Sequence, residues 1–237
     1  MLSSESVENA AGALAYDGYK EMGMATTNDS QQILLQQVGA AITGMVDDGD
    51  RYEWEFTMLE SKEVNAFCLP GGKVVVYTGI MPKFKNEAEL ACVVAHEISH
   101  AIARHGGERV SWNLLQQLGA LGVSFADNDA LSTIYSIGTE YGVVLPYSRS
   151  HETEADLMGL QLMAKAGYDP KAAIDFWTRF DASTSSSLLE FASTHPSRET
   201  RVEDIANQMD FAEELYRHCK NRKGLGVEIV AGMPQFQ

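Results

Sequence analysis

Residues 91–105 read ACVVAHEISHAIARH, and the reading of this stretch decides the fold. From Asn86 to His105 the chain has neither Pro nor Gly and is rich in Ala, Glu, Val and Ile. This predicts a helix over 86–105. On a helix, positions i and i+4 share a face, so His96 and His100 present two imidazoles one turn apart. That separation suits one Zn²⁺ ion with metal–nitrogen distances of roughly 2.0–2.1 Å. Glu97 is rotated about 100° from His96. It stands beside such a metal rather than on it, where a general base for water belongs. The plainer reading is a core helix with satisfied histidines. An unpaired histidine in so apolar a helix is costly, which argues for a ligand role.

A catalytic zinc needs a third protein ligand. His105 is five residues past His100, about 140° off its face on a continuous helix, and is rejected. Cys92 lies one turn before His96, about 12 Å along the axis from His100, too far for a shared ion, and reads as core. Cys68, in AFCLPGG, stays open as a minor possibility. The stronger candidate is downstream, in YSRSHETEADLMGLQLMAKAG (147–167). This reads as a second helix, with Ser148 or Ser150 able to cap it. Glu152 and Asp156 are i and i+4 and face one way. Glu152 can reach the metal as third ligand. Asp156 can accept the ring N–H of a ligating histidine and fix its tautomer. Glu154 points elsewhere, and the bland alternative is an acidic helix start favoured by the macrodipole.

The rest of the chain frames this site. Residues 5–23 and 31–46 have helical character. YEWEFTML (52–59) alternates like a strand, and VNAFCL (64–69) and KVVVYTG (73–79) are β-rich runs separated by Pro70-Gly71-Gly72. We expect a small antiparallel sheet of about three strands. From residue 86 to about 220 the pattern is helical, with STSSS (183–187) as a loop, and 110–146 reads as two helices walling a cleft. The tail KGLGVEIVAGMPQFQ can add a short strand. Strands first and helices afterwards imply an α+β fold, mostly helical. The expected organisation is a helical extension (1–51), a metallopeptidase domain (52–220) and a tail packed on it (221–237).

The chain has 237 residues with 18 Lys and Arg against 33 Asp and Glu. So acidic a balance disfavours nucleic acid as a partner. Three scattered cysteines form neither a disulfide framework nor a CxxC zinc pattern. No apolar run is long enough to span a bilayer, and the first twenty residues lack the pattern of a signal peptide.

HEISHAIARH, SRSHETEAD, NAFCLPGGKVVVYTG and THPSRETR together resemble peptidase family M48, which includes HtpX-type, CAAX-protease and Oma-type members and bacterial periplasmic relatives. The resemblance covers residues 52–220, with four motifs in the family order. It implies a zincin-like, gluzincin-type zinc endopeptidase with ligands His96, His100 and Glu152, base Glu97, and Asp156 behind the ligands. It further implies that His195 and Arg201 lie close to the metal. His195 would stabilise the oxyanion or take the fourth metal position in a resting state, and Arg201 would hold a substrate carbonyl or brace Glu152. Arg149 is expected to brace the ligand helix, and His151 and His218 to lie at the surface. The implied partners are protein or peptide substrates, misfolded or membrane-associated. The implied setting is the bacterial periplasm, with membrane proximity through a lipid anchor. The run 64–69 is a candidate sheet edge to which substrate adds as a strand. The competing readings are a chaperone-like zinc protein with latent proteolysis and a zinc hydrolase of small amides.

Overall fold

The run KVVVY (73–77) forms the central strand of a three-stranded sheet. The structure, a computed structural model, describes residues 5–22, 26, 28–47, 51–108, 147–181, 191, 195 and 200–236. Strand β1 (Glu55–Leu59) runs parallel to β3 (Lys73–Tyr77), and β2 (Ala66–Leu69) runs antiparallel to it on the other side. The sheet is therefore mixed, which corrects the expected antiparallel arrangement. The cause is local. Gly71 and Gly72 take φ values of +83° and +89°, a region that costs glycine little, and they close β2 and β3 into a tight hairpin. The chain entering β1 then bonds to that turn: the Glu53 and Glu55 N–H groups donate to the Gly71 and Gly72 carbonyls at 3.1 and 3.0 Å. Lys73 Nζ pins the same corner, donating to the Glu53 carbonyl at 2.8 Å and the Glu55 carboxylate at 2.6 Å.

Period-two alternation assigns the two faces. Met58, Ala66, Cys68, Val74 and Val76 join the main core, while Leu59, Phe67, Leu69 and Val75 face a smaller cluster. Helix α1 (Glu5–Met22) supplies Ala15 and Tyr16 to the smaller cluster. Helix α2 (Asp29–Thr43) packs Leu34, Leu35, Val38 and Ile42 into the main one. Helix α3 (Glu87–Ile102) is capped by Asn86, whose side chain accepts from the Glu89 N–H at 3.1 Å. It is buried along most of its length, as expected of a helix apolar on all sides.

Helix α3 ends at Ile102, three residues earlier than the sequence suggests. Arg104 holds φ +58°, and a new helical turn starts at His105. Glu8 on α1 fixes the Arg104 guanidinium, accepting at 3.2 Å from Nε and lying 2.9 Å from the terminal nitrogen. The break re-aims His105, which a continuous helix would have turned away.

Helix α4 (Arg149–Lys165) packs against α3, its first turn capped by Ser148, which accepts from the His151 N–H at 3.2 Å. Their close approach depends on Gly159. A Cβ there would lie 2.9 Å from the His96 backbone nitrogen and 3.1 Å from the Ala95 carbonyl carbon. Helices α5 (Lys171–Asp181), α6 (Arg201–Asn207) and α7 (Met209–His218) follow, with Phe176 and Trp177 of α5 in the core. The tail forms a hairpin of β4 (Glu228–Val230) and β5 (Met233–Gln235), seated where the Ile229 N–H donates to the Lys85 carbonyl at 2.8 Å. The helices expected in 110–146 and the loop at 183–187 lie outside the described residues. Among the described residues no helix is long and apolar enough to cross a membrane.

The contact at Gly159 gives a direct test. Gly159→Val should destabilise the protein by about 1–3 kcal/mol through overpacking. Gly18→Ala on α1, where an added Cβ meets nothing within 4 Å, should stabilise it by about 0.5–1 kcal/mol. Chemical denaturation of the two variants reads both signs.

Candidate metal centre

Two packed helices and one further segment bring four donor atoms together. From α3 come His96 Nε2 and His100 Nε2, 3.0 Å apart. From α4 comes Glu152, with Oε1 3.3 Å from His100 Nε2 and Oε2 3.7 Å from His96 Nε2. His195 completes the group, its Nδ1 3.3 Å from His96 Nε2 and 3.1 Å from Glu152 Oε1. All four residues are buried, and their ligand atoms lie within 4.8 Å of one another. Four donors around a tetrahedral zinc at 2.0–2.1 Å stand about 3.3 Å apart, so the spacing fits a single ion of that kind. The donor chemistry fits as well: three imidazole nitrogens and a carboxylate oxygen suit zinc. His96, His100 and Glu152 are the residues expected to meet here, and His195 joins them as a fourth donor.

Glu97 is fully buried beside this cluster. No side chain hydrogen-bonds to either carboxylate oxygen among the described residues; the Cys68 backbone lies close enough to favour the carboxylate, and His195 Nε2 lies 3.4 Å from Oε1. A buried carboxylate so poorly paired is costly, and a cation in the adjoining cluster would offset that cost. Burial raises the Glu97 pKa, and His195 and His96 only partly oppose it. A carboxyl with a raised pKa is a better proton acceptor than an ordinary glutamate.

Behind the donors is a second layer. Asp156 Oδ1 lies 2.9 Å from His96 Nδ1. Arg201, 1 % exposed, spans both acids: Nε donates to Asp156 Oδ2 at 2.9 Å and a terminal nitrogen donates to Glu152 Oε2 at 2.6 Å. Its guanidinium stacks on the Trp177 ring, 4.1 Å from the centroid. Burial works to raise the Asp156 pKa, but the His96 hydrogen bond and the Arg201 charge hold it below the usual range. Burial likewise opposes ionisation of Glu152. The charge of His195 and hydrogen bonds to His100 and His195 outweigh it and hold that carboxyl low. Burial keeps His100 well below its ordinary value. The Tyr147 ring stacks on His100 at 3.8 Å and 20°.

Other candidates stand apart. Cys68 and Cys92 are buried thiols outside the donor group. Cys68 donates to the Leu69 carbonyl at 3.5 Å, and burial with the nearby Glu97 charge raises its pKa well above normal. Arg149 and His218 are exposed. His151, expected at the surface, is partly buried and pairs with Glu108 at 3.1 Å. The residue that sequence reasoning missed is His105. It is no donor, yet its Nδ1 lies 2.9 Å from His100 Nδ1 and its Nε2 lies 3.2 Å from Glu154 Oε2. The break falls at Ala103-Arg104, ahead of Gly106-Gly107, which lie in the next helical turn, and the residues at the break carry no helix-stop signal.

The model of peptidase family M48 matches residues 27–209. This chain belongs to peptidase family M48. It is 39% identical over 175 residues to the mitochondrial metalloendopeptidase OMA1 of Schizosaccharomyces pombe, covering 73% of this chain and 50% of that protein. The Arabidopsis thaliana protein of the same name is 40% identical over 178 residues, 74% of this chain and 36% of its own length. The β-barrel assembly-enhancing protease of Escherichia coli is 33% identical over 167 residues, 65% of this chain and 34% of that protein. The M48 chain described here thus spans half or less of the length of these relatives.

Arg201 is the testable keystone of this layer. Arg201→Met leaves two buried carboxylates uncompensated and should cost about 3–5 kcal/mol of stability. Arg201→Lys should restore only part of it, because an ammonium cannot bridge both acids as the planar fork does. Unfolding midpoints in denaturant for the three proteins check the order.

Proposed function

We propose that this chain is a zinc-dependent endopeptidase that hydrolyses peptide bonds in proteins, with misfolded or membrane-associated proteins as substrates. The observation that carries the reading is the set of converging donors, His96, His100, Glu152 and His195, at spacings suited to a tetrahedral ion beside a fully buried Glu97. Membership of a peptidase family supports the same reaction.

His96, His100 and Glu152 would hold the metal, with His195 in the fourth position of the resting site. Zinc bound there would supply Lewis-acid polarisation of water and of the scissile carbonyl. Glu97 takes the proton from the attacking water and delivers it to the leaving amine. Asp156 fixes His96 with its Nε2 lone pair towards the donor group. Arg201 braces Glu152: a terminal nitrogen donates to Glu152 Oε2 at 2.6 Å while Nε donates to Asp156 Oδ2 at 2.9 Å. His195 must give up its place for water and substrate to enter.

Substrate would lie along β2. This strand is at the sheet edge, and its Cys68 is close enough to Glu97 to feel its charge. A peptide added there takes affinity from main-chain hydrogen bonds, which suits an enzyme acting on many unfolded sequences. For the compartment the relatives' names divide, mitochondrial for the OMA1 proteins and β-barrel assembly for the Escherichia coli protease; the setting proposed here is the bacterial periplasm close to a membrane.

Glu97→Gln should retain one zinc per chain and cut casein cleavage by roughly 10²–10⁴-fold. Metal analysis beside a cleavage assay, with and without chelator, measures both, and undiminished cleavage by the variant would remove Glu97 as base. Intact proteins alongside turnover of a small amide would instead favour a small-molecule hydrolase.

A further inference from the structure

We infer that His105 is a positioning residue for the metal site, holding the His100 ring in the tautomer that presents its Nε2 lone pair and linking that ring to the surface carboxylate of Glu154. The inference rests on the reading of His96, His100 and Glu152 as metal donors.

The hydrogen positions follow from the contacts. His100 Nε2 is the nitrogen turned to the donor group, 3.0 Å from His96 Nε2 and 3.3 Å from Glu152 Oε1. A neutral imidazole with its lone pair on Nε2 carries its hydrogen on Nδ1. That hydrogen points at His105 Nδ1, 2.9 Å away, so His105 must accept there and carry its own hydrogen on Nε2. Nε2 then donates to Glu154 Oε2 at 3.2 Å. The same assignment results from the other end, because an ionised Glu154 can only accept.

The ring is held for this task. His105 is 2 % exposed. It stacks on His151 with centroids 4.2 Å apart and planes 14° from parallel, and Glu108 pairs with His151 Nε2 at 3.1 Å. The backbone that turns His105 back is Arg104 at φ +58°, a conformation an L-residue seldom adopts. Such outliers persist where the surroundings over-determine them, and they cluster at functional sites. The two ligand histidines thus have outer partners of different kinds. His96 faces a carboxylate, Asp156, while His100 faces a neutral ring.

The test uses the full chain with His105→Leu and His105→Asn. Asparagine carries an oxygen close to the place of the histidine Nδ1 and can accept from His100. Leucine fills the space but accepts nothing. Zn²⁺ affinity is measured by competition with a chromophoric chelator, the Co²⁺ absorption spectrum reports ligand geometry, and unfolding without metal reports packing. The expected result is a roughly 10–100-fold weaker Zn²⁺ affinity for the leucine variant, with an altered Co²⁺ spectrum. Asparagine should stay nearer wild type although it packs worse. Wild-type affinity in the leucine variant overturns the inference. So does equal weakening in both variants that tracks a loss of metal-free stability. A wild-type chain that binds no Zn²⁺ overturns the metal-site reading, and this inference with it.

Discussion

The contact between α3 and α4 at Gly159 governs everything else in the molecule. With only a hydrogen in that position, the backbone of α4 can approach that of α3 at His96 itself. The donors, His96 at the contact, His100 one turn and Glu152 two turns from it, then fall within a few ångströms of each other. A larger side chain at position 159 would push the two backbones apart and carry Glu152 away from His100. The site is therefore a property of helix packing, and the ligands inherit their precision from rigid elements rather than loops.

Such packing creates an electrostatic problem that the surrounding residues solve. Glu97, Glu152 and Asp156 are acids buried near one another, and each would repel the next. Arg201 answers for two of them with one planar cation, and the aromatic face of Trp177 accommodates that cation away from water. Glu97 is left outside this arrangement. Its charge is favoured by His195, His96 and the backbone at Cys68, so two of its three supports belong to the donor group it would serve.

Much of this was legible in the sequence because helices write their faces into spacing. His96 with His100 and Glu152 with Asp156 are both i, i+4 pairs, and the structure brings the two pairs together. The strands were equally visible, one as an alternating run and two as β-rich runs on either side of Pro70-Gly71-Gly72. Their order was not, since periodicity reports which face a residue takes and says nothing of which strand lies beside which. The parallel pairing of β1 with β3 depends on the outer carbonyls of Gly71 and Gly72, backbone groups without a sequence signature. His105 lies outside the donor group, in line with its rejection as a ligand, but the reason offered for that rejection does not hold. The 140° argument is sound on a continuous helix, and a single residue, Arg104 in the left-handed region, made it inapplicable.

The sequence separations of the donors carry a kinetic consequence. His96 and His195 are 99 residues apart, and Glu152 and His195 are 43 apart. Contacts of such range close late, after the entropy of long loops has been met by other structure. A growing or partly folded chain therefore lacks the full set of donors and holds only the HEISH pair on a local helix. On the proposed reading, hydrolytic competence would arrive only with the completed fold, so an unfinished chain would not itself cut the extended segments of its neighbours.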